Sequence, residues 1–371
     1  MGTYNIFFTG GGSGGHVVPA ITLIKEVQNI LSQRGDHNAW AVKYIGGRTI
    51  EAQLIPPLGI SYFTIQTGKL RRYFSWQNFT DVFRILWGIL QSWWIFAQHR
   101  RANNIVCAMG GFVSVPVVVA AYLWRIPIIV HEQTSQAGLA NRLAAKLAGE
   151  VWLSFAQSKK FFSAAKTILT GYPVRPSCFT PPLSSLIVRG QELKALDKPI
   201  LLITGGGNGS ALLNDWVKTN LTDLCSKYFI VHQVGSLQWP QYKDLGSTNY
   251  LPVDLLGPEI IELFKLATVV ISRSGAGTVC ELLALRKPSI LVPLKIAQQQ
   301  EQAKNARVAQ EWLGSLVFPE DEFKTLTAAQ VLAKFVPGLL NFSPTQEQTW
   351  QEMFNQPAQK MARRLVEKCQ K

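Results

Sequence analysis

The 371-residue chain holds only five cysteines, and no two of them are spaced as CxxC. This odd, scattered set (Cys107, Cys178, Cys225, Cys280, Cys369) offers neither a disulfide framework nor a zinc-ligand pattern, and a reducing compartment is expected. Long hydrophobic runs are missing too. The best candidate, residues 79–98, is broken by Asp81, Arg84 and Gln91 and makes a poor membrane span. Residues 1–20 lack the basic start and apolar stretch of a signal peptide, so a cytosolic protein is expected. Acidic residues are scarce: 23 Asp and Glu stand against 37 Lys and Arg, a net charge of +14. Such an excess favours a polyanionic surface, either nucleic acid or anionic lipid. No recognition helix or aromatic RNA-binding pattern accompanies it, so no nucleic-acid partner is expected.

What is present is an apolar chain, 47% hydrophobic and 16% charged, long enough for two globular domains. NIFF (5–8) reads as a short buried strand that runs into GGGSGG (10–15). Apolar residues Ile21, Leu23, Ile24, Val27, Ile30 and Leu31 then mark a helix from about Ala20 to Arg34, and AWAVKYIG (39–46) a second strand. Strand, glycine turn, helix, strand is the opening of a doubly wound parallel sheet. IVCAMGG (105–111) and PIIVHEQ (127–133) read as further strands. The opening recurs at PILLITGGGNGSALLND (199–215), followed by strands in 228–235, 267–277 and 288–294. Two Rossmann-like α/β domains with a cleft between them are therefore expected, joined by the Pro- and Ser-rich stretch 171–190. The boundaries expected are 1–175 and 176–349, with a C-terminal helix at about 350–371 packing back on the first domain.

The glycine turn at 10–15 admits several chemistries. Free N–H groups at a helix start suit phosphate, and glycine lets a ligand touch the backbone. Gly10, Gly12 and Gly15 satisfy GxGxxG, yet the second strand ends in Gly46, Gly47 and Arg48, without the acid that a dinucleotide ribose requires; the nearest is Glu51. A P-loop fails because His16 and Val17 stand where Lys and Ser or Thr belong. GxSxG fits at Ser13, but on a first strand it is a weak nucleophile elbow. His16 is either a backbone cap or a general base. HEQTS (131–135) departs from HExxH at Ser135. A second glycine turn, Ser274–Thr278, precedes a helix with Glu281 in its first turn, suited to nucleotide phosphates and ribose or simply to the helix dipole. The amide-rich stretch 298–306 suits sugar hydroxyls or a solvated helix face. A nucleotide-sugar transferase, a nicotinamide-dependent oxidoreductase and a nucleic-acid-binding protein are the function classes these features raise.

Six segments in order, GGGSGGHVVPA, MGGFVSVPVVVAA, IPIIVHEQTSQAGLANRLAA, GYPVR, GGGNGSALLN and SRSGAGTVCELLALRKPSILVP, resemble the MurG family, the UDP-N-acetylglucosamine:lipid I N-acetylglucosaminyltransferases of peptidoglycan synthesis. The resemblance covers about residues 5–310. It implies a GT-B fold and an inverting transfer with no cofactor and no metal. UDP-N-acetylglucosamine would be the donor and lipid I, the undecaprenyl-linked muramoyl pentapeptide, the acceptor. The protein would sit peripherally on the cytoplasmic face of the bacterial inner membrane. The first domain would be the acceptor and membrane side, the second the donor side. A related transferase with another lipid or glycan acceptor is the alternative. The resemblance places Ser13, Gly14 and Gly15 against donor diphosphate and sugar, with His16 as base. Glu132 and Asn141 would be its catalytic companions on the acceptor side, in the stretch that begins at His131. Arg175 would reach the nucleotide, and Ala276, Gly277, Thr278, Val279, Cys280 and Glu281 would grip it, Glu281 at the ribose. Gln302 would meet the sugar, and Leu256 the uracil. Thr134 replaces the family's amide, Gly207 its serine and Asn208 its glutamine, and Gln299 or Gln300 stands where an acid is common. Between Lys69 and Arg101, bulky apolar residues interleave with cations, as a surface for anionic lipid requires. Trp76, Phe79 and Phe83 are the residues expected to touch lipid; an ordinary buried helix is the competing reading.

Overall fold

The computed structural model describes residues 3–68, 76–194, 196–295, 300–335 and 342–371, and for 76–79 the backbone alone. The chain divides into two compact units, residues 1–174 with 348–371, and residues 175–347. The first unit runs β1 (Tyr4–Thr9), α1 (Gly14–Ser32), β2 (Trp40–Gly46), α2 (Glu51–Leu54), β3 (Ser61–Thr64), α3 (Trp76–Gln98), β4 (Asn103–Ala108), α4 (Ser114–Leu123), β5 (Ile128–Glu132), α5 (Leu139–Leu147), β6 (Glu150–Leu153) and β7 (Thr167–Leu169). Its seven strands form a parallel sheet in the order β3-β2-β1-β4-β5-β6-β7. Strand residues alternate between two buried faces, as parallel strands with helices on both sides must. Ile6 and Phe8 of β1 meet Val17, Leu23 and Val27 of α1 on one face, while Phe7 meets Ile95, Phe96 and Val117 on the other.

The second unit carries a hairpin, β8 (Ile187–Val188) and β9 (Gln191–Glu192), then β10 (Ile200–Thr204), α6 (Ala211–Lys227), β11 (Phe229–Gln233), β12 (Tyr250–Val253), α7 (Ile260–Leu266), β13 (Val269–Ser272), α8 (Ala276–Ala284), β14 (Ile290–Leu291), α9 (Glu301–Leu313), β15 (Leu316–Val317), α10 (Glu320–Phe323) and α11 (Ala328–Ala333). Its parallel sheet has the order β12-β11-β10-β13-β14-β15. Both sheets are doubly wound, with the order reversing at β1/β4 and at β10/β13. Ligand sites of such sheets lie beyond the carboxyl ends of the strands at this reversal. Beyond β1 and β10 lie the two glycine turns, and β4 and β13 lead into Met109–Gly111 and Arg273–Gly275.

Through α12 (Pro344–Phe354) and α13 (Pro357–Cys369) the chain returns to the first unit. Met361, Leu365 and Val366 of α13 pack into the core beside α1. Arg364 and Lys368 grip Glu150 at 2.6 and 2.8 Å. Burial alone would raise the Glu150 pKa, but these two cations and the Trp152 indole overcome it and bring it to about 2.

Three local differences from the sequence reading have physical causes. Helix α1 begins at Gly14 rather than near Ala20: the buried face from Val17 onward carries the helix through two poor helix formers and past Pro19, whose absent N–H costs one bond. Edge strands β3, β7, β12 and β15 are two to four residues long and leave no periodicity to read; Pro252 is tolerated in β12 because that strand lies at an edge. Helix α3 is not an ordinary buried helix. It buries Ser92, Ile95 and Phe96 but exposes Phe83, Leu86, Trp87, Leu90 and Trp94 in one stripe. Phe83 thus lies in the open as expected, whereas the side chains of Trp76 and Phe79 lie outside the described residues. Tyr122 and Leu123 at the end of α4 extend the stripe past Trp93, which packs on Trp124 at 5.2 Å. Among the described residues no helix is long and apolar enough to cross a membrane.

Leu365→Ala would empty a fully buried position shared by α13 and α1. The first unit should lose about 2–5 kcal/mol, read as faster hydrogen exchange at the β1 amides with those of β10 unchanged.

Candidate functional site

In the first unit everything converges on His16, in the first turn of α1. Its Nδ1 lies 3.1 Å from the Met109 carbonyl and 3.3 Å from Gln133 Oε1. A carbonyl only accepts, and the Gln133 amide is oriented by its own Nε2 donating to that same carbonyl at 2.5 Å. The proton of the neutral ring therefore sits on Nδ1, leaving the lone pair on Nε2. Desolvation lowers the pKa of the ring below the ordinary value, against the two hydrogen bonds and the charge of Glu51. The loop after β4 can come this close only because it carries no side chain there. A Cβ on Gly110 would stand 2.9 Å from His16 Nδ1 and 3.1 Å from Asn141 Nδ2, at a φ of +91°. Gly11 N–H donates to Gly110 O at 3.3 Å, tying the two loops together.

Ser13 and Gly15 are exposed and Gly14 half-buried at the start of α1. Ser13 O accepts the first helical bonds, from His16 and Val17. The Gly14 and Gly15 N–H groups precede those bonds and point along the positive end of a 19-residue helix.

Two residues expected to be catalytic, Glu132 and Asn141, are bonded to each other. Glu132 is buried and accepts from Thr134 N at 3.0 Å, Thr134 Oγ1 at 2.8 Å, Gly138 N at 3.1 Å and Asn141 Nδ2 at 2.9 Å. These four groups brace the 134–138 loop, and burial nonetheless raises the Glu132 pKa against them. The Thr134 N–H is held by Glu132, and its single hydroxyl proton lies between Glu132 and the Gln136 carbonyl. Asn141 also donates to His131 O at 3.1 Å, while its buried Oδ1 has no hydrogen-bond partner among the described residues. His131 lies in the core, bound to Gly171 O and Ser154 Oγ; burial lowers its pKa to about 4, and it lines no surface.

In the second unit the glycine turn after β10 exposes Gly207 and Asn208. Gln233, the last residue of β11, holds it: Nε2 donates to Gly206 O at 2.6 Å and Oε1 accepts from Leu256 N at 3.0 Å. Leu256 is therefore turned inward. The exposed apolar side chain here is Leu255, whose Cδ1 is 3.9 Å from the Cβ position of Gly207. Arg175 and Glu281, expected to reach a nucleotide separately, are joined by bonds of 2.7 and 3.2 Å, and Arg175 Nη1 also donates to Gly257 O at 3.2 Å. Burial raises the Glu281 pKa while Arg175 opposes it. Gly277 and Thr278 are half-buried at the start of α8 and Ala276 is nearly buried. Val279 and Cys280 are wholly buried, so their side chains cannot touch a ligand. Gln302 Oε1 accepts from Leu294 N at 3.0 Å, and its carbonyl accepts from Ser274 Oγ at 2.8 Å. Gln300 is exposed before α9, and Gln299 lies outside the described residues.

The sequence reading missed Gln133 as a ring holder, Gln233, and Arg273. The last is buried between Ser210 Oγ (2.9 Å), Val292 O (3.0 Å) and Glu320 (2.6 Å), and so ties the glycine turn to the strand beyond β13. Each follows an apolar strand run with a long polar side chain, a signal visible in IIVHEQ, FIVHQ and VVISR. Among the described residues no three His, Cys, Asp or Glu side chains gather as a metal site would require.

Nitrogen-15 NMR of the His16 ring should find the Nδ1–H tautomer at neutral pH and a titration midpoint below 6.5, the ordinary histidine value. A midpoint above it, or an Nε2–H ring, would contradict this geometry.

The glycosyltransferase family 28 N-terminal domain matches residues 6–153, and the glycosyltransferase family 28 C-terminal domain residues 200–365. A protein of Clostridium botulinum (strain Hall), named UDP-N-acetylglucosamine--N-acetylmuramyl-(pentapeptide) pyrophosphoryl-undecaprenol N-acetylglucosamine transferase, is 37% identical over 336 residues, 88% of this chain and 89% of its own. A protein of the same name from Legionella pneumophila (strain Paris) is 37% identical over 91% of this chain and 89% of its own. Among solved structures, Acinetobacter baumannii MurG superposes with a TM-score of 0.60 at 23% identity, over 98% of this chain and 94% of that one. With both halves of the chain matched in order and relatives this similar along most of its length, the chain belongs to glycosyltransferase family 28 and, within it, to the MurG family of N-acetylglucosaminyltransferases.

Proposed function

We propose that the chain moves N-acetylglucosamine from UDP-N-acetylglucosamine to the 4-hydroxyl of the muramoyl sugar of lipid I, the step that makes lipid II. The observation that carries the mechanism is the orientation of His16. With Nδ1–H locked on Met109 and Gln133, Nε2 is the atom that takes the proton from the acceptor hydroxyl. The hydroxyl oxygen then attacks the anomeric carbon in line, inverting it to a β-1,4 link, and the bond to the UDP oxygen breaks. Negative charge grows on the leaving diphosphate. Taken unit by unit, the start of α1 in the first and the start of α8 in the second each present free N–H groups and a positive helix end suited to such charge. Arg175 pins both oxygens of Glu281 by one edge each, and their remaining lone pairs accept the ribose hydroxyls. Leu255 and the exposed Gly207–Asn208 edge would border the base, and Gln302 the sugar.

The apolar stripe of α3 is the membrane contact in this reading. An acceptor with a lipid tail must be met at the bilayer surface. Exposed Phe83, Trp87, Leu90 and Trp94, with Arg84, Arg100 and Arg101 also exposed, suit the interface of an anionic membrane. The protein would then bind peripherally, on the cytoplasmic face where the donor is made.

His16→Ala should lower kcat by about 10²–10⁴-fold while UDP affinity, measured by calorimetry, stays within about twofold. Turnover that survives would end the base assignment. In the intact enzyme the acidic limb of kcat/KM should fall below pH 6.5, since the base works unprotonated and burial lowers its pKa. Trp87→Glu with Leu90→Glu should weaken co-sedimentation with anionic vesicles by about tenfold or more. Wild-type binding indifferent to anionic lipid and salt would rule out this face.

A further inference from the structure

The acid nearest the first glycine turn is Glu51, at the start of α2, where a dinucleotide domain would offer a carboxylate to a ribose. Here it faces the other way. Glu51 is fully buried. Its Oε2 accepts from Gly12 N at 3.2 Å and from the Thr49 hydroxyl, and its Oε1 accepts from Gly47 N at 3.1 Å. The Thr49 oxygen also receives Gly12 N–H at 3.2 Å. The carboxylate occupies the space beneath the turn so completely that a Cβ on Gly11 would lie 2.5–2.7 Å from its three terminal atoms. An internal anion thus holds the inner amide of the glycine turn, and the outer amides of Gly14 and Gly15 are left for substrate.

We propose that Glu51 is a positioning residue for the transfer: it moulds from below the glycine turn that leads into the first turn of α1, where His16 sits. The inference rests on the reading of His16 as base. The geometry is the ground for it, and the electrostatics agree, since Glu51 raises the His16 pKa against the larger effect of burial. The other titratable groups packed around the turn and His16 are two phenols, His131 and Glu132, the last bonded to Asn141 and raised in pKa by burial. Tyr44 donates to Gly10 O at 3.0 Å and Tyr62 to Gly47 O at 2.6 Å, and burial with the charge of Glu51 pushes both phenols up, so they stay neutral. His131, with its pKa of about 4, is neutral above pH 5.

Glu51→Gln keeps the shape but turns an NH2 group toward one of the two backbone N–H donors. In the folded variant, without substrate, the His16 ring should titrate at lower pH than in the wild type, and the Gly12 and Gly47 amides should exchange at least tenfold faster. kcat should fall about 10–100-fold, and the acidic limb of kcat/KM should move to lower pH, whereas UDP affinity should not change. A merely structural role would lower the rate without moving the titration. An unmoved midpoint, or unchanged exchange at Gly12 and Gly47, in folded protein overturns the inference. These two measurements stand apart from catalysis, so they still decide the role of Glu51 if His16→Ala retains turnover and the base reading fails. Should Glu51→Gln not fold, Thr49→Val removes one donor: faster Gly12 exchange supports the proposal and unchanged exchange overturns it.

Discussion

A buried polar group must find partners, and the functional loops of this protein are shaped by that requirement. Glu132 is buried and gathers three donors from the loop that follows and a fourth from Asn141 of α5. Leaving even one of those donors unmatched would cost on the order of 1–3 kcal/mol. The loop has one conformation because its brace has one way to be satisfied. Gln233 and Arg273 do the same in the second unit, each reaching from a strand end to a glycine turn. Glycine makes these turns possible, but glycine alone would leave them floppy. The side chain beside each turn restores the order that its lack of a Cβ gives away.

The fold class was legible because parallel strands buried on both faces read as short apolar runs, and because each run of that kind ended in glycine or a long polar residue. NIFF before GGGSGG and PILLIT before GGGNG marked both switch points. The edge strands were not legible: Leu316–Val317 is two residues in an otherwise mixed stretch. Nor was the true start of α1, since a helix that begins with two glycines is set by tertiary packing rather than propensity.

The site was legible by residue and less so by role. His16 could be named from its place after the turn, but the sequence held no sign of which ring nitrogen would be free. That depends on Met109 O and Gln133, distant along the chain by 93 and 117 residues. Leu256 and Leu255 are neighbours of one kind, and the sequence did not mark that the first is buried and the second exposed. Val279 and Cys280 share a helix start with Thr278, but successive helix positions are about 100° apart, and these two face the core.

The two pKa directions at the first site express one design. A base that must act near neutral pH has to be unprotonated yet still basic. Burial makes His16 less basic, while Gln133, the Met109 carbonyl and Glu51 each favour the protonated ring that forms as the acceptor hydroxyl gives up its proton. The opposing effects come from different parts of the fold, burial from the close packing around the ring and the raising effect from Gln133, the Met109 carbonyl and, least, Glu51. A mutation on either side should move the base in a predictable direction, and that is why the glycines around His16 and the carboxylate beneath them belong to the same device.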